Sequence, residues 1–483
     1  MIKTASGKMY INGAVVDSKQ TVNVYNPAAT KEVVGEIALG SSADVDRAVE
    51  AAECAWSHWR STPPEERAKK LEQMAAHIEE HQDELIKLLV RENGKLFSQA
   101  KRDVLGGANV LRYYSTLAHE LNDRVIDNEQ GRMILARQPM GVVSIIVPWN
   151  SPVLLGSLML APALLAGNTV LIKPSNYCPL TVGKVLNDLA EMLPAGVLNV
   201  LLGSGSTVGE AMVKHPKVRK ISFTGSTEVG ASVLRNAADT IKNVTMELGG
   251  NDAALVLKDA DVNQKLVDEL IKGVFTNSGQ ICYNVKRIYV HRDNYDAFVK
   301  AFIQSADRIR VGFGLDERAT MGPVNNKAQY ESIMNLIKQL EETDAVVHQV
   351  GDFVEGTNPS DGYFILPRIV TNVTQEDPIV QQEQFGPIVP IIPYDTEEEG
   401  IALVNDTEFG LGNSVWTTDV ERGFEVARNL QSGSVFVNIH RGGASAVNMP
   451  FGGFKQSGIG RGHGVEALLA LTELQALIHR VDL

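Results

Sequence analysis

The stretch 218-VRKISFTGSTEVG-230 passes from an apolar, β-branched run into a Gly-Ser-Thr turn and then into a helical segment. The spacing of Gly225 and Gly230 lets backbone approach a pyrophosphate, and the helix that follows offers unpaired N–H donors at its start. It is not the GxGxxG dinucleotide fingerprint, and taken alone it marks a turn at the edge of a sheet.

Outward from this stretch the same unit recurs. GVVSIIV (141–147) leads through PWN into a helix from 153, TVLIK (169–173) leads through PS into a helix after 179, and VLNVLL (197–202) precedes a helix after 206. Apolar runs separated by helical lengths predict parallel βαβ units, hence a doubly wound Rossmann-like α/β sheet. Such sheets bind ligands at the carboxyl ends of their strands.

A second alternation begins beyond 246-MELGG-250. AALVL (253–257), KRIYV (286–290), IVPII (388–392) and SVFVN (434–438) read as strands, with helices over 263–276, 296–309 and 327–340. This predicts a second α/β domain. Before the first sheet, MYINGAVV (9–16) and VNVYNPAA (22–29) read as short strands with a turn at Asn12-Gly13, and helices are predicted over 43–59, 64–90 and 98–121.

A chain of 483 residues exceeds what one core usually serves. With a net charge of −13 spread along its length, it is expected to repel nucleic acid. The longest apolar stretch, 153–166, is broken by Gly156, Ser157 and Pro162 and is too short to cross a bilayer. The start MIKTASGKMYINGAVV lacks the apolar core of a signal peptide, so a cytoplasmic location and no membrane partner are expected. Three scattered cysteines, Cys54, Cys178 and Cys282, suit neither a disulfide framework nor a metal site.

Four segments carry chemistry. FTNSGQIC (275–282) sets Cys282 just past a predicted helix, where backbone N–H groups could favour a thiolate; a buried structural cysteine is the alternative. In MELGG, Glu247 ends a strand before a double-glycine turn and is either a general base on water or a solvated glutamate. Asn150 of PWN can offer an amide to an oxyanion and Lys173 of IKPS can reach a ribose or a phosphate, although a turn asparagine and an exposed lysine fit as well.

Taken together, these segments resemble the aldehyde dehydrogenase superfamily of the hydrolytic, NAD(P)-dependent kind. PWN (148–150), KPS (173–175), FTGST (223–227), MELGG (246–250), GQIC (279–282), EQFGP (383–387) and PFGGFKQSGIGR (450–461) fall in family order over more than 300 residues. YINGAVVDS, VYNPA and the C-terminal TELQALI are similar to the family as well.

The resemblance implies that Cys282 attacks an aldehyde, that Asn150 and the Cys282 N–H hold the oxyanion, and that Glu247 activates the water that hydrolyses a thioester. NAD or NADP is implied as cofactor. Lys173, Ser175, Asn176, Gly225, Ser226, Gly230 and Leu248 would lie along it, with Glu383 and Phe385 at the nicotinamide ribose and ring and Trp149 close by. Asn176 stands where many NAD-using relatives carry glutamate, and its neutral side chain would tolerate a 2′-phosphate. Leu154, Leu155, Leu158, Ile281, Tyr283 and Phe451 suggest an apolar tunnel for an aliphatic or aromatic aldehyde, with His440 and Arg441 as candidate contacts to a polar or anionic one.

By the same resemblance, 1–121 with 138–249 form a cofactor-binding domain and 250–464 a catalytic domain. Segments 122–137 and 465–483 form an arm that joins a homodimer or homotetramer. Arg287 looks structural. The competing readings are a CoA-acylating enzyme, against which Glu247 argues, and a non-catalytic descendant, which would need none of these functional groups.

Overall fold

The computed structural model describes residues 5–481. Its largest sheet has eight strands in the order Gly458–Ile459, Asn243–Glu247, Val218–Thr224, Val142–Ile146, Thr169–Lys173, Leu198–Val200, Met9–Ile11 and Ala14–Val16. The five strands from Asn243–Glu247 to Leu198–Val200 run parallel, and the outer ones are antiparallel. From Val142–Ile146 the chain winds one way to Leu198–Val200 and then crosses back to the other side with Val218–Thr224. The topological switch therefore lies between the carboxyl ends of Val142–Ile146 and Val218–Thr224, where such sheets open a crevice for a ligand.

A second sheet of seven strands is ordered Val346–Gln349, Arg368–Thr371, Ile388–Tyr394, Val285–His291, Asp252–Val256, Gly412–Trp416 and Ser434–Val437. Each pairing in it is parallel except that of Val346–Gln349. Thr472–Arg480, Gly131–Pro139 and Arg124–Asn128 make a three-stranded antiparallel sheet that leaves Val125, Ile126, Leu474 and Ile478 exposed.

The Asn12-Gly13 turn takes positive φ at both residues, the geometry a tight hairpin needs. The helix foreseen over 64–90 is two helices, Pro64–Glu80 and Gln82–Asn93, because His81 leaves helical geometry and turns its ring back onto the carbonyl of His77 at 2.9 Å. Pro152–Leu165 is apolar on all sides and eleven of its fourteen residues are buried. Each leucine hidden there contributes about 1.5–3 kcal/mol, which fixes this helix behind the site.

Candidate active site

Cys282 is placed by an unusual piece of backbone. Asn277, Ser278 and Gly279 all adopt positive φ (55°, 56° and 76°) after the helix Gln264–Phe275, which turns the chain sharply toward the cleft between the two sheets. Such geometry in non-glycine residues persists only when surrounding bonds enforce it. The Ser278 hydroxyl donates to the Gly322 carbonyl at 2.8 Å, and the Gln280 amide donates to the Asn277 carbonyl at 2.9 Å. A Cβ on Gly279 would sit 2.1 Å from the Gly386 oxygen, so only glycine fits.

Lys286, a residue the sequence did not single out, binds this turn from below. Its Nζ donates to the carbonyls of Ile281 at 3.0 Å and Cys282 at 2.9 Å, and lies 3.8 Å from Glu383 and 5.8 Å from the Phe385 ring centre. Burial pushes the Cys282 thiol up to about 12, with Lys286 opposing, so the resting group is a thiol awaiting a base.

Two cavities meet at Cys282. The larger, a tunnel of about 350 Å³, is walled by Leu154, Leu155, Leu158, Ile281 and Tyr283 and also receives Asn150. The other, a chamber of about 110 Å³ behind the thiol, is lined by Phe451, Glu247, Ser222, Thr245 and Lys220.

Asn150 is buried, and its amide nitrogen donates to the Gln280 carbonyl at 3.1 Å, which holds it beside the Cys282 turn. Its own carbonyl accepts from Lys95, which also pairs with Asp103 at 2.8 Å; both residues were missed because they lie some fifty residues away, Lys95 in a loop and Asp103 on the helix Phe97–Ser115. Glu247 ends its strand as foreseen. Its Oε1 accepts the Gly462 N–H at 3.3 Å, while Oε2 is buried without a protein partner. Burial pushes its carboxyl up to about 8.

Along the carboxyl edge of the first sheet a cleft of about 660 Å³ runs between Lys173, Ile146 and Phe223 on one side and Val229 and Val233 on the other. The helix Thr227–Ala238 points its start at this edge, capped by Ser226, whose side chain accepts from the Val229 N–H. A Cβ on Gly225 would lie 2.6 Å from the Phe223 ring, so this glycine keeps the turn flat against the strand. Gly230 does the same for Leu248, whose Cδ2 a Cβ there would meet at 2.5 Å.

Apolar walls for a flat base, a lysine and a helix start for phosphate together fit an adenine dinucleotide. Lys173 is buried with its ammonium on the Pro174 carbonyl at 2.9 Å, and desolvation lowers it to about 8. Ser175 and exposed Asn176 follow in the next turn. Glu383 accepts the Gly250 N–H at 3.1 Å, and the rings of Trp149 and Phe385 meet edge-on at 5.5 Å.

Two expected substrate contacts are corrected. His440 is fully buried, tied to the Ser414 hydroxyl at 2.8 Å and the Tyr283 carbonyl at 2.9 Å, so it supports the tunnel wall from behind. Arg441 is held by Glu269 at 2.9 Å and does not line the tunnel. The cations that do line it are Arg102 and the paired Lys95, and His463, with Nδ1 buried and unpartnered, lines both cavities; none was foreseen. Cys54 is exposed on the first helix, Cys178 is buried elsewhere, and Arg287 is buried on the carbonyls of Asn251 and Val404. Among the described residues no cluster of metal-ligating side chains occurs.

The sequence model of the "Aldehyde dehydrogenase family" matches residues 15–477. Phenylacetaldehyde dehydrogenase of Pseudomonas fluorescens is 36% identical over 488 residues, covering 98% of this chain and 95% of that protein. The structure of betaine aldehyde dehydrogenase from Staphylococcus aureus in complex with NAD+ superimposes with a TM-score of 0.94 at 34% identity, covering 98% of this chain and 94% of the other.

Proposed function

The chain belongs to the aldehyde dehydrogenase family, and on that premise we propose that it oxidises an uncharged aryl or alkyl aldehyde to its carboxylic acid, with NAD or NADP as hydride acceptor. The observation that carries this reading is the meeting of an apolar tunnel and a buried, half-partnered carboxyl on the two sides of one thiol.

The Cys282 sulfur attacks the carbonyl carbon presented by the tunnel, after losing its proton to a water beside it, which leaves the Glu247 carboxylate free for the later step. The Asn150 amide and the Cys282 N–H take the developing oxyanion, which lowers the barrier because these donors are fixed in advance in a water-poor site. A bound dinucleotide supplies the hydride acceptor; Lys173, the Ser226 turn and the helix start hold it, and Glu383, Phe385 and Trp149 shape the end near Cys282. Glu247 then removes a proton from a water in the chamber, the water oxygen adds to the thioester carbon, and Cys282 leaves as the acid forms. Glu247 is what separates this from transfer to CoA, which needs no base for water.

Leucines, Ile281 and the Tyr283 ring favour an aromatic or aliphatic tail, in keeping with the phenylacetaldehyde-oxidising relative. Arg102 at the tunnel wall disfavours a cationic substrate such as betaine aldehyde. Neutral Asn176 tolerates a 2′-phosphate, whereas Glu210 and Glu228 on the cleft wall oppose one.

Residues 1–121 with 138–249 serve as the cofactor-binding domain and 250–464 as the catalytic domain. Segments 122–137 and 465–483, of which 482–483 lie outside the described residues, form an arm whose exposed apolar strands call for a second copy, as homodimer or homotetramer. Three free cysteines, one of them the reactive thiol, suit a reducing cytoplasm. No described helix is long and apolar enough to cross a membrane.

The test is reduced-cofactor absorbance with phenylacetaldehyde, benzaldehyde, hexanal, betaine aldehyde and succinic semialdehyde, with NAD and NADP in turn and without CoA. Acid formation from the uncharged aldehydes supports the reading. Turnover only with CoA, or only with charged aldehydes, overturns it.

A further inference from the structure

Lys220 has no task in the reaction described above, yet it lies in the chamber that holds Glu247. It is 1% exposed, and its ammonium bonds only the side-chain oxygens of Asn243 at 2.7 Å and Thr245 at 2.9 Å. Among the described residues no carboxylate pairs with it, whereas the other lysine beside Cys282's cavities, Lys95, has Asp103 at 2.8 Å. An ammonium stripped of water and of a counter-ion is costly, and desolvation accordingly lowers Lys220 to about 8.

The strand pairing explains what surrounds it. Val218–Thr224 and Asn243–Glu247 run parallel in a register that sets Lys220 beside Asn243, Ser222 beside Thr245 and Thr224 beside Glu247. Side chains alternate along a strand, so these six share one face of the sheet. Four residues of strand separate Glu247 from the Lys220–Asn243 rung, about 13 Å at the usual rise, and hydroxyls fill the interval.

The facing wall, from the helix Pro152–Leu165, is apolar, and the chamber has room for several waters along the polar row. The free Glu247 oxygen, Oε2, is available to such water. At the other end Asn243 is exposed, on the side of the sheet opposite the cofactor cleft. The other titratable or charged groups lining the chamber are Cys282, Tyr283, Arg461 and His463; burial holds His463 down at about 4, so it is neutral at pH 7.

We infer that Lys220 is the proton acceptor behind Glu247, taking the proton of the attacking water along the Thr245–Ser222 row and passing it to solvent at Asn243. This rests on the acid-forming reaction proposed above. In each turnover one O–H bond of the attacking water breaks, its oxygen bonds the thioester carbon and its proton goes to the Glu247 carboxylate. The Glu247 O–H then yields that proton to the chamber water, and the neutral Lys220 amine takes one up as ammonium. Loss of a proton from the ammonium at the Asn243 edge restores both groups, without passage through the aldehyde tunnel.

The experiment compares wild type with Lys220→Met, Lys220→Arg and Thr245→Val. Rapid mixing with phenylacetaldehyde and NAD reads the burst of reduced cofactor, and the decay of the acyl-enzyme is followed from about pH 6 to about pH 10. Lys220→Met should keep the burst and slow the decay about tenfold or more above about pH 8, where the wild-type amine is neutral, with the loss shrinking as pH falls and the ammonium form fills. Lys220→Arg should not recover it, since a guanidinium does not give up its proton, and Thr245→Val should show a smaller slowing of the same kind.

Wild-type decay with an unshifted pH profile in Lys220→Arg overturns the inference in favour of a purely structural cation. So does an equal loss of burst and decay in Lys220→Met together with a lowered thermal midpoint. If neither Lys220 variant folds, an unaltered profile in Thr245→Val overturns it. Turnover of the wild type only with CoA would instead sink the acid-forming reading itself, and undiminished acid formation by Glu247→Gln would remove the base on which the inference rests.

Discussion

On the tunnel side of Cys282, Lys95 and Asp103 are both almost fully buried, and the charges of this pair are answered. The ammonium meets a carboxylate oxygen and the Asn150 carbonyl, and the second carboxylate oxygen takes the Leu154 N–H at 2.8 Å. On the chamber side, Lys220 has only neutral partners and Glu247 keeps one oxygen free. The two sides share Leu154, Leu155 and Leu158 as walls, so the contrast lies in the polar groups and not in the apolar lining. A buried charge that is fully partnered stays as it is and holds the frame, whereas one left short of partners is poised to change protonation.

That contrast is most severely tested at the thiol where the two sides meet. Cys282→Ala should abolish aldehyde oxidation, by about 10⁴-fold or more, while cofactor binding measured by fluorescence quenching is retained. Residual turnover near wild type would move the chemistry to another group and dissolve the comparison.

Glu247→Gln tests the chamber alone. The first burst of reduced cofactor should persist while steady-state turnover falls about 10²–10⁴-fold. The active form of Glu247 is the carboxylate, and its carboxyl is pushed up to about 8. Wild-type hydrolysis of the acyl-enzyme should therefore rise with pH up to about 8 and level off above it, and this rise should vanish in Glu247→Gln. A flat wild-type profile would mean that some other group sets the limit.

The tunnel side is tested through stability. Asp103→Ala leaves the Lys95 ammonium buried and unanswered, at a cost of about 3–5 kcal/mol, and should lower the thermal midpoint by several degrees. Replacing both, Lys95→Met with Asp103→Leu, should recover most of that loss, although turnover then reports what Lys95 does for Asn150. A smaller effect is expected for Ile281→Ala: about 1–2 kcal/mol of lost packing, seen as a rise of about tenfold in KM for aryl aldehydes with kcat little changed. An unchanged KM would place the substrate elsewhere in the tunnel.

Much of this was legible in the sequence because strand–turn–helix units carry their functional residues at fixed places. Asn150, Lys173, Ser226 and Glu247 each sit at or just past the end of a strand, and parallel winding brings those ends to one edge. Cys282 was legible from the glycine and polar residues before it, which announce a turn, although not the three consecutive positive φ angles that aim it.

His440 and Arg441 were misjudged because a loop sequence with two adjacent polar side chains reads as exposed. In the fold one is sealed beneath Tyr283 and the other is taken by Glu269. Lys286, Asn277 and Lys95 gave no signal, since their bonds reach carbonyl groups, and a backbone carbonyl has no letter in the sequence.

The sequence by itself determined the family, the two α/β units and the identity of the candidate nucleophile and base, because these depend on local periodicity and on residue types at element ends. Only the tertiary structure decided which buried charges are answered and which are not. Desolvation and pairing depend on groups far apart in the chain, so Lys95 and Lys220, both letters K, acquire opposite electrostatic surroundings only when the chain closes around them.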